Sequence, residues 1–401
     1  AQITAIVGAT AHTMGPEGTI ENATILIDGG RFLSIISGGS APDGATVVDA
    51  TGKIVTPGLF TPMGYLGLVE VGFSAGPLDQ VQRGTEFAAS FDVADAFNPR
   101  STLIAINRIE GVTRAVITPT PGSPDDSGNV GGVLAGLAAI VNLGGSDNSL
   151  DARGAAMMVS LGERGSDFAG GSRAAAVMAL RGALDEAQRY RDDPGEREDY
   201  RLSIADLEAL QGVLRREVPL YINVHRASDI EVVIRLVQSY NLRAIIAGGS
   251  EAWMLADELA TAGIPVVLAP QDILPGNFDR LNARRESAAI LTAAGVTIAI
   301  ADGQSQTHNA RNITQSAGIA VAYGLPRDEA LRAITIAPAE IFGVARDVGS
   351  IEPGKLADVV IWPGDPLELV NYPEQVWING AAIEMTSRQT LLRDRYLQTD
   401  A

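Results

Sequence analysis

Between residues 54 and 301, short apolar runs alternate with stretches whose apolar positions recur every three or four residues. The runs are Ile54–Thr61, Val112–Thr118, Val133–Asn142, Ala156–Leu161, Leu220–His225, Arg243–Gly248, Pro265–Ala269 and Val296–Ala301. Runs of this length without polar alternation predict strands covered on both faces, as parallel strands are. Asp229–Tyr240 places Ile230, Val233, Ile234 and Val237 on one helical face, and Ser228 with Glu231 predicts a capping box at its start. Glu251–Gly263 predicts the next helix, with Gly263 and Pro265 as stop signals. RDEALRAITIAPAEIFGV predicts two helical pieces broken at Pro338. Eight strands alternating with helices predict a (β/α)8 TIM-type barrel. A doubly wound sheet would place a glycine-rich phosphate loop after its first strand, and GLFTPMG is not one.

The two ends of the chain differ from the middle. TAIVGATAHTM, ATILIDGG, RFLSIIS and ATVVDATGKIV near the start, and ADVVIWPGD and EQVWINGAAI near the end, read as short strands between turns. They predict a small β-sandwich-like domain assembled from residues 1–55 and 345–401, around a barrel of residues 56–344. RYRDDPGEREDYR, Arg189–Arg201, reads as a solvated surface excursion. TPTPGSPDDSGNVGG carries Asp125 and Asp126 in a turn-rich lid, without the donor spacing of a calcium loop.

Composition narrows the chemistry. The chain has 401 residues, 46% hydrophobic and 19% charged, which is the make-up of a folded protein with a large core. A net charge of −18 argues against nucleic acid as a partner. Apolar runs are too short for a membrane span. The absence of cysteine excludes disulfides, thiolate nucleophiles and Cys-ligated zinc. The Ala-Gln start predicts a mature exported, periplasmic protein, with a trimmed cytoplasmic chain as the alternative. No Gly-x-Ser-x-Gly elbow is present, and SLGERGSDFAGGSR lacks the ending of a P-loop. The histidines are His12, His225 and His308.

GKIVTPGL, GVTRAVITPTPGS, VHRASDIEVVIRLVQSYNLRAIIAGGSEAW and ALRAITIAPAEIFGVARDVGSIEPGKLADVVIWPGDPLE together resemble the amidohydrolase superfamily, most closely its imidazolonepropionase-like branch. The similarity runs from about residue 3 to 385. It implies metal-assisted hydrolysis of C–N bonds at the C-terminal mouth of the barrel, where the metal lowers the pKa of water and polarises a carbonyl. The ligand set implied is His-x-His after the first strand, Lys or Glu after the fourth, a His after each of the fifth and sixth, and an Asp after the eighth.

Residue by residue, most of that set is replaced. The His-x-His places hold Met63 and Tyr65, the fifth-strand place Asn223, with His225 two residues on, and the sixth-strand place Gly248. Asp302 matches the eighth-strand aspartate and is the candidate base, and Glu163 matches the fourth-strand acid. His225, Arg226, Glu163, His308, Tyr65, Met63 and Asn223 are therefore expected to line the mouth without binding a metal. The expected protein is a degenerate amidohydrolase with little metal-dependent activity. It would act as a binding or partner subunit for a small amide-type ligand, as a homodimer or beside an intact homologue. The alternative is an active hydrolase of a cyclic or linear amide, with zinc or manganese held by Glu163, His225, Asp302 and His308.

Overall fold

The structure, a computed structural model, describes residues 2–70, 78–82, 87–122, 132–146, 148–193, 200–272, 274–302 and 307–397. Asp125 and Asp126 of the expected lid lie outside the described residues, as does 194–199 of the charged excursion.

The N-terminal strands are β1 (Thr4–His12), β2 (Thr19–Asp28), β3 (Arg31–Ser37), β4 (Thr46–Asp49) and β5 (Ile54–Pro57). They form one sheet with the C-terminal strands β16 (Val359–Trp362), β17 (Gln375–Ile378) and β18 (Ala381–Ala382). β1 is the branch point. One edge pairs with β2; the other pairs with β4 over its first half and with β5 over its second.

The barrel sheet runs in the order β15-β14-β13-β12-β11-β10-β8-β6. Its strands are β6 (Leu59–Gly64), β8 (Val112–Ile117), β10 (Leu134–Asn142), β11 (Leu150–Ser160), β12 (Leu220–Val224), β13 (Ala244–Gly248), β14 (Val266–Leu268) and β15 (Ile298–Ile300). β7 (Val81–Gln82) and β9 (Thr120–Pro121) make a separate two-residue pair. The helices are α1 (Thr102–Arg108) before β8, then α2 (Gly162–Asp167), α3 (Arg173–Asp192) and α4 (Ile204–Leu214) between β11 and β12. They continue with α5 (Ala227–Tyr240), α6 (Ala256–Ala262) and α7 (Ser287–Ala293), each following one of the next three strands. After β15 come α8 (Ile313–Ala322), α9 (Arg327–Arg332) and α10 (Ile336–Ile341), and α11 (Arg388–Leu397) ends the described chain. Phe60 N–H donates to Ile334 O and Ile300 N–H to Ala333 O, both at 2.9 Å, so the turn after α9 bridges the two edge strands and nearly closes the barrel. No helix among the described residues is long and apolar enough to cross a membrane.

Four expectations are corrected. The run Ile54–Thr61 is two strands in two sheets, divided at Gly58. A Cβ there would meet Thr113 Oγ1 at 2.1 Å, so only glycine lets the chain pass this close to β8. Second, β10 is antiparallel to both neighbours, breaking the βα alternation. Seven residues, 143–149, separate it from β11, enough for a hairpin and too few for a parallel crossover. Third, α5 starts at Ala227, and Ser228 and Glu231 form no capping box. The Ala227 N–H is accepted by Glu251 Oε2 at 2.9 Å, while Ser228 Oγ bonds Arg226 Nε at 2.7 Å. Fourth, the helical pair breaks at residues 333–335, and Pro338 sits in the first turn of α10, where its missing N–H leaves no bond unmade.

Alternate residues of each barrel strand face opposite layers. Tyr221 of β12 lies in the barrel interior with Phe60, Val116, Met158 and Ile245, whereas Leu220, Ile222 and Val224 pack outward against the helices. The Tyr221 hydroxyl donates to Pro62 O at 3.3 Å, and its ring meets Phe342 edge-on at 5.6 Å. Arg114 of β8, 2% exposed, ties barrel to sheet: it donates to Asp151, to Asp358 Oδ2 at 2.8 Å and to Asn379. The two carboxylates beside it outweigh the effect of burial and raise its pKa.

Candidate functional site

A cavity of about 400 Å³ opens at the C-terminal ends of the parallel barrel strands. Met63 and Tyr65 line it from the end of β6, Thr118–Pro121 from β8, Ser160, Glu163 and Arg164 from β11 and α2, and Asn223 and His225 from β12. Asn277, Asp279 and Arg280 close it from the loop after β14.

His225 is fixed at both ring nitrogens. Arg280 Nη2 lies 3.1 Å from Nε2, and Ser250 Oγ lies 2.9 Å from Nδ1. A guanidinium only donates, so Nε2 is the acceptor, Nδ1 carries the proton, and Ser250 receives it. That tautomer leaves Ser250 without a base, so the pair is not a Ser-His nucleophile. Burial, reinforced by the Arg280 charge, lowers the His225 pKa to about 4, and the ring is neutral at neutral pH.

The ring lies over Gly248. A Cβ on Gly248, whose φ is +89°, would sit 2.2 Å from His225 Cε1, 2.8 Å from Nδ1 and 2.9 Å from Nε2. Glycine at the end of β13 is thus what gives the imidazole its place.

Arg280 is itself held. Asp272 Oδ2 accepts from its Nη1 at 3.1 Å, and its side chain is 26% exposed. The neighbouring Asp279, 3% exposed, accepts the Glu163 N–H at 2.7 Å and bonds Arg173 of α3. Asp229 of α5 lies 3.3 Å from Arg173 Nε. Glu251, 3% exposed, accepts from Asn282 N and Nδ2, both at 3.0 Å, as well as from Ala227 N. These contacts fasten the loop after β14 to α2, α3 and α5, and so place the guanidinium.

Of the residues picked out from sequence, Met63, Tyr65, Glu163, Asn223 and His225 meet in this cavity. Burial pushes the Tyr65 phenol up to about 12, with Arg164 opposing, so it stays protonated. Asp302 is 2% exposed just beyond β15 and is not among the lining residues. Two expected mouth residues lie elsewhere. Arg226 turns to Ser228 and Asp229, 3.9 Å away, at the start of α5. His308 is exposed on a turn beside Thr307 Oγ1, because the chain has already left β15 toward α8. His12 pairs with Thr19 across β1 and β2. Sequence reasoning missed Asp272, Asp279 and Arg280. The signal available was five charged residues in a Pro- and Gly-containing loop, Pro270–Arg285, at the end of a barrel strand.

The sequence profile of the Amidohydrolase family matches residues 195–383. Amidohydrolase tasK of Hapsidospora irregularis is 24% identical over 395 residues, 89% of this chain and 39% of that protein. The imidazolonepropionase of Acidiphilium cryptum is 33% identical over 129 residues, 31% of this chain and 30% of its own length. The chain thus spans less than half the length of either curated relative in these matches. The crystal structure of an amidohydrolase from Thermotoga maritima superposes with a TM-score of 0.83 at 25% identity, covering 95% of this chain and 99% of that one. Residues 195–383 thus carry an Amidohydrolase family domain, and the fold of the chain is that of a solved amidohydrolase.

Proposed function

We propose that the barrel mouth binds a small amide-type ligand without a divalent metal, and that the protein acts as a binding or partner subunit instead of a metallohydrolase. The observation that carries this reading is the engagement of His225. Both ring nitrogens are committed, one to Ser250 and one to a guanidinium, and the ring fills the space beside Gly248.

The residues at the family's ligand positions do not fit a divalent cation. Met63 is a soft thioether, Tyr65 a protonated phenol, Asn223 a neutral amide, and Gly248 has no side chain. A fixed cation, Arg280, stands against Nε2, where a second positive charge would be repelled. Among the described residues, no three His, Asp or Glu side chains are grouped as metal ligands are. The alternative set of Glu163, His225, Asp302 and His308 is disfavoured by the exposed place of His308.

The test is metal content and turnover on protein purified without chelators and then incubated with zinc or manganese. The expected result is well below about one equivalent of metal, the stoichiometry of an occupied single site, and no hydrolysis of amides or dipeptides. Stoichiometric metal together with turnover that Asp302→Asn abolishes would overturn the proposal.

A further inference from the structure

We infer that the mouth cavity takes a small zwitterion, an amino acid or a short peptide with both termini free, its carboxylate read by Arg280 and its ammonium by Glu163. This assignment rests on the binding-site reading above and names the ligand class for it.

The argument starts from what the polar groups of the cavity lack. Glu163 Oε2 and Arg280 Nε are both buried without a hydrogen-bond partner among the described residues, and both residues line the same cavity. Buried polar atoms without partners are uncommon, and each destabilises the empty site by about 1–3 kcal/mol. One orphan belongs to a carboxylate and can only accept. The other belongs to a guanidinium and can only donate. A ligand that relieves both therefore presents an acceptor at one end and a donor at the other.

The charges around them set the sign at each end. Asp279 is engaged by Arg173 and the Glu163 N–H, and Asp272 by Arg280 Nη1. Asp279 is matched by Arg173, whereas Glu163 makes no ion pair among the described residues. Arg280 keeps the N–H groups not given to Asp272 and His225. On the rim, Arg164 lies over the Phe168 ring at 5.0 Å, and Asp167 is exposed. Opposite charges at the two orphan groups favour a ligand with no net charge and one charge at each end. Met63, Met158, Ala135 and Pro119 supply an apolar wall for a side chain between them.

The experiment is isothermal titration of the full chain with L-leucine and L-alanyl-L-leucine, and with N-acetyl-leucine and leucinamide, which each lack one charge. A free zwitterion is expected to bind, and each blocked derivative to bind about tenfold more weakly or worse, the loss of one charge-assisted bond. Glu163→Gln should abolish the discrimination against N-acetyl-leucine, and Arg280→Gln the discrimination against leucinamide. Arg280→Lys, which keeps the charge, should retain the preference for a free carboxylate. Absence of saturable heat from both zwitterions, or equal affinity for blocked and free forms, would overturn the assignment. Metal content measured on the same preparation separates the two claims: a metal-free protein that ignores the charged ends refutes the ligand class alone.

Discussion

The contact between Gly248 and His225 permits a quantitative test. Alanine at 248 places a methyl group 2.2 Å from His225 Cε1, so the imidazole has to swing out, abandoning Ser250 and Arg280. Two contributions follow. A non-glycine residue at φ +89° is strained by about 1–3 kcal/mol. Losing the charge-assisted bond from Arg280 removes about 1.5–3 kcal/mol more. Gly248→Ala should therefore destabilise by about 3–5 kcal/mol, more than the usual single substitution. Backbone strain is independent of His225, whereas the collision is not. In a His225→Ala background the same change should cost only the strain, so the double-mutant cycle should give a coupling of about 2 kcal/mol. Urea unfolding of the four proteins, followed by tryptophan fluorescence and circular dichroism, measures it. Equal destabilisation in both backgrounds would show that the ring does not depend on the glycine, and the account of the mouth would fall with it.

Three further outcomes follow from the same geometry. The His225 pKa is near 4 when folded and about 6.5 when unfolded, so the unfolded chain binds the extra proton between those values. The stability its neutral form contributes is complete above about pH 6.5, declines as pH falls, and is gone below about 4. At about 1.4 kcal/mol per pH unit, reduced because the ring borders an open cavity, the loss should reach about 2–3 kcal/mol. Urea midpoints from pH 7 to 4 should fall more steeply for the native protein than for His225→Gln; parallel curves would refute this. Arg114→Gln should destabilise by about 3–5 kcal/mol, because it leaves Asp358 and Asp151 without their cation. A loss below about 1 kcal/mol would mean that the cluster is not what fastens barrel to sheet. Glu251→Gln can no longer accept from Ala227 and Asn282 together, so limited proteolysis should speed up within residues 274–285 while the rest stays protected. Unchanged cleavage there would remove Glu251 from the account of how Arg280 is placed.

The barrel was legible because its strands are covered on both faces and so read as unbroken apolar runs, and each but the first, which divides at Gly58, falls on a single barrel strand. The same property hid the direction of β10, since a strand buried on both sides carries no alternation to mark its orientation. The turn Gly144-Gly145-Ser146 before β11 was the available clue to a hairpin. The switch at Gly58 was hidden for a different reason. The glycine answers to Thr113, a residue distant in sequence. At the mouth, Met63, Tyr65, Asn223 and His225 were visible as lining residues, yet the loop that closes the cavity over them was not. Arg280 reaches the cavity through the pairing of Glu251 with Asn282, 31 residues apart, and of Glu163 with Asp279, 116 apart. No local pattern encodes contacts of that kind.

On the proposed reading, the mouth exchanges one kind of cation for another. Arg280 stands against His225 Nε2 as a fixed positive charge with directional N–H donors. Such a group can hold a carbonyl or carboxylate in place and polarise it. It has no open coordination position at which a nucleophile could form, and the neighbouring Ser250 is bonded to the protonated nitrogen of the ring, not to its basic one. On the proposed reading, ligand recognition therefore survives while the means of attack is missing. The exchange is also self-locking. Histidine at 248 collides with His225, and moving His225 aside strands Arg280 beside Asp272, so single substitutions should weaken the fold without creating a metal site. Gly248→His or Asn223→His alone should leave zinc uptake unchanged. Only with Arg280 also replaced should added zinc raise the unfolding midpoint, and stabilisation by zinc in either single variant would show that the guanidinium is not the lock.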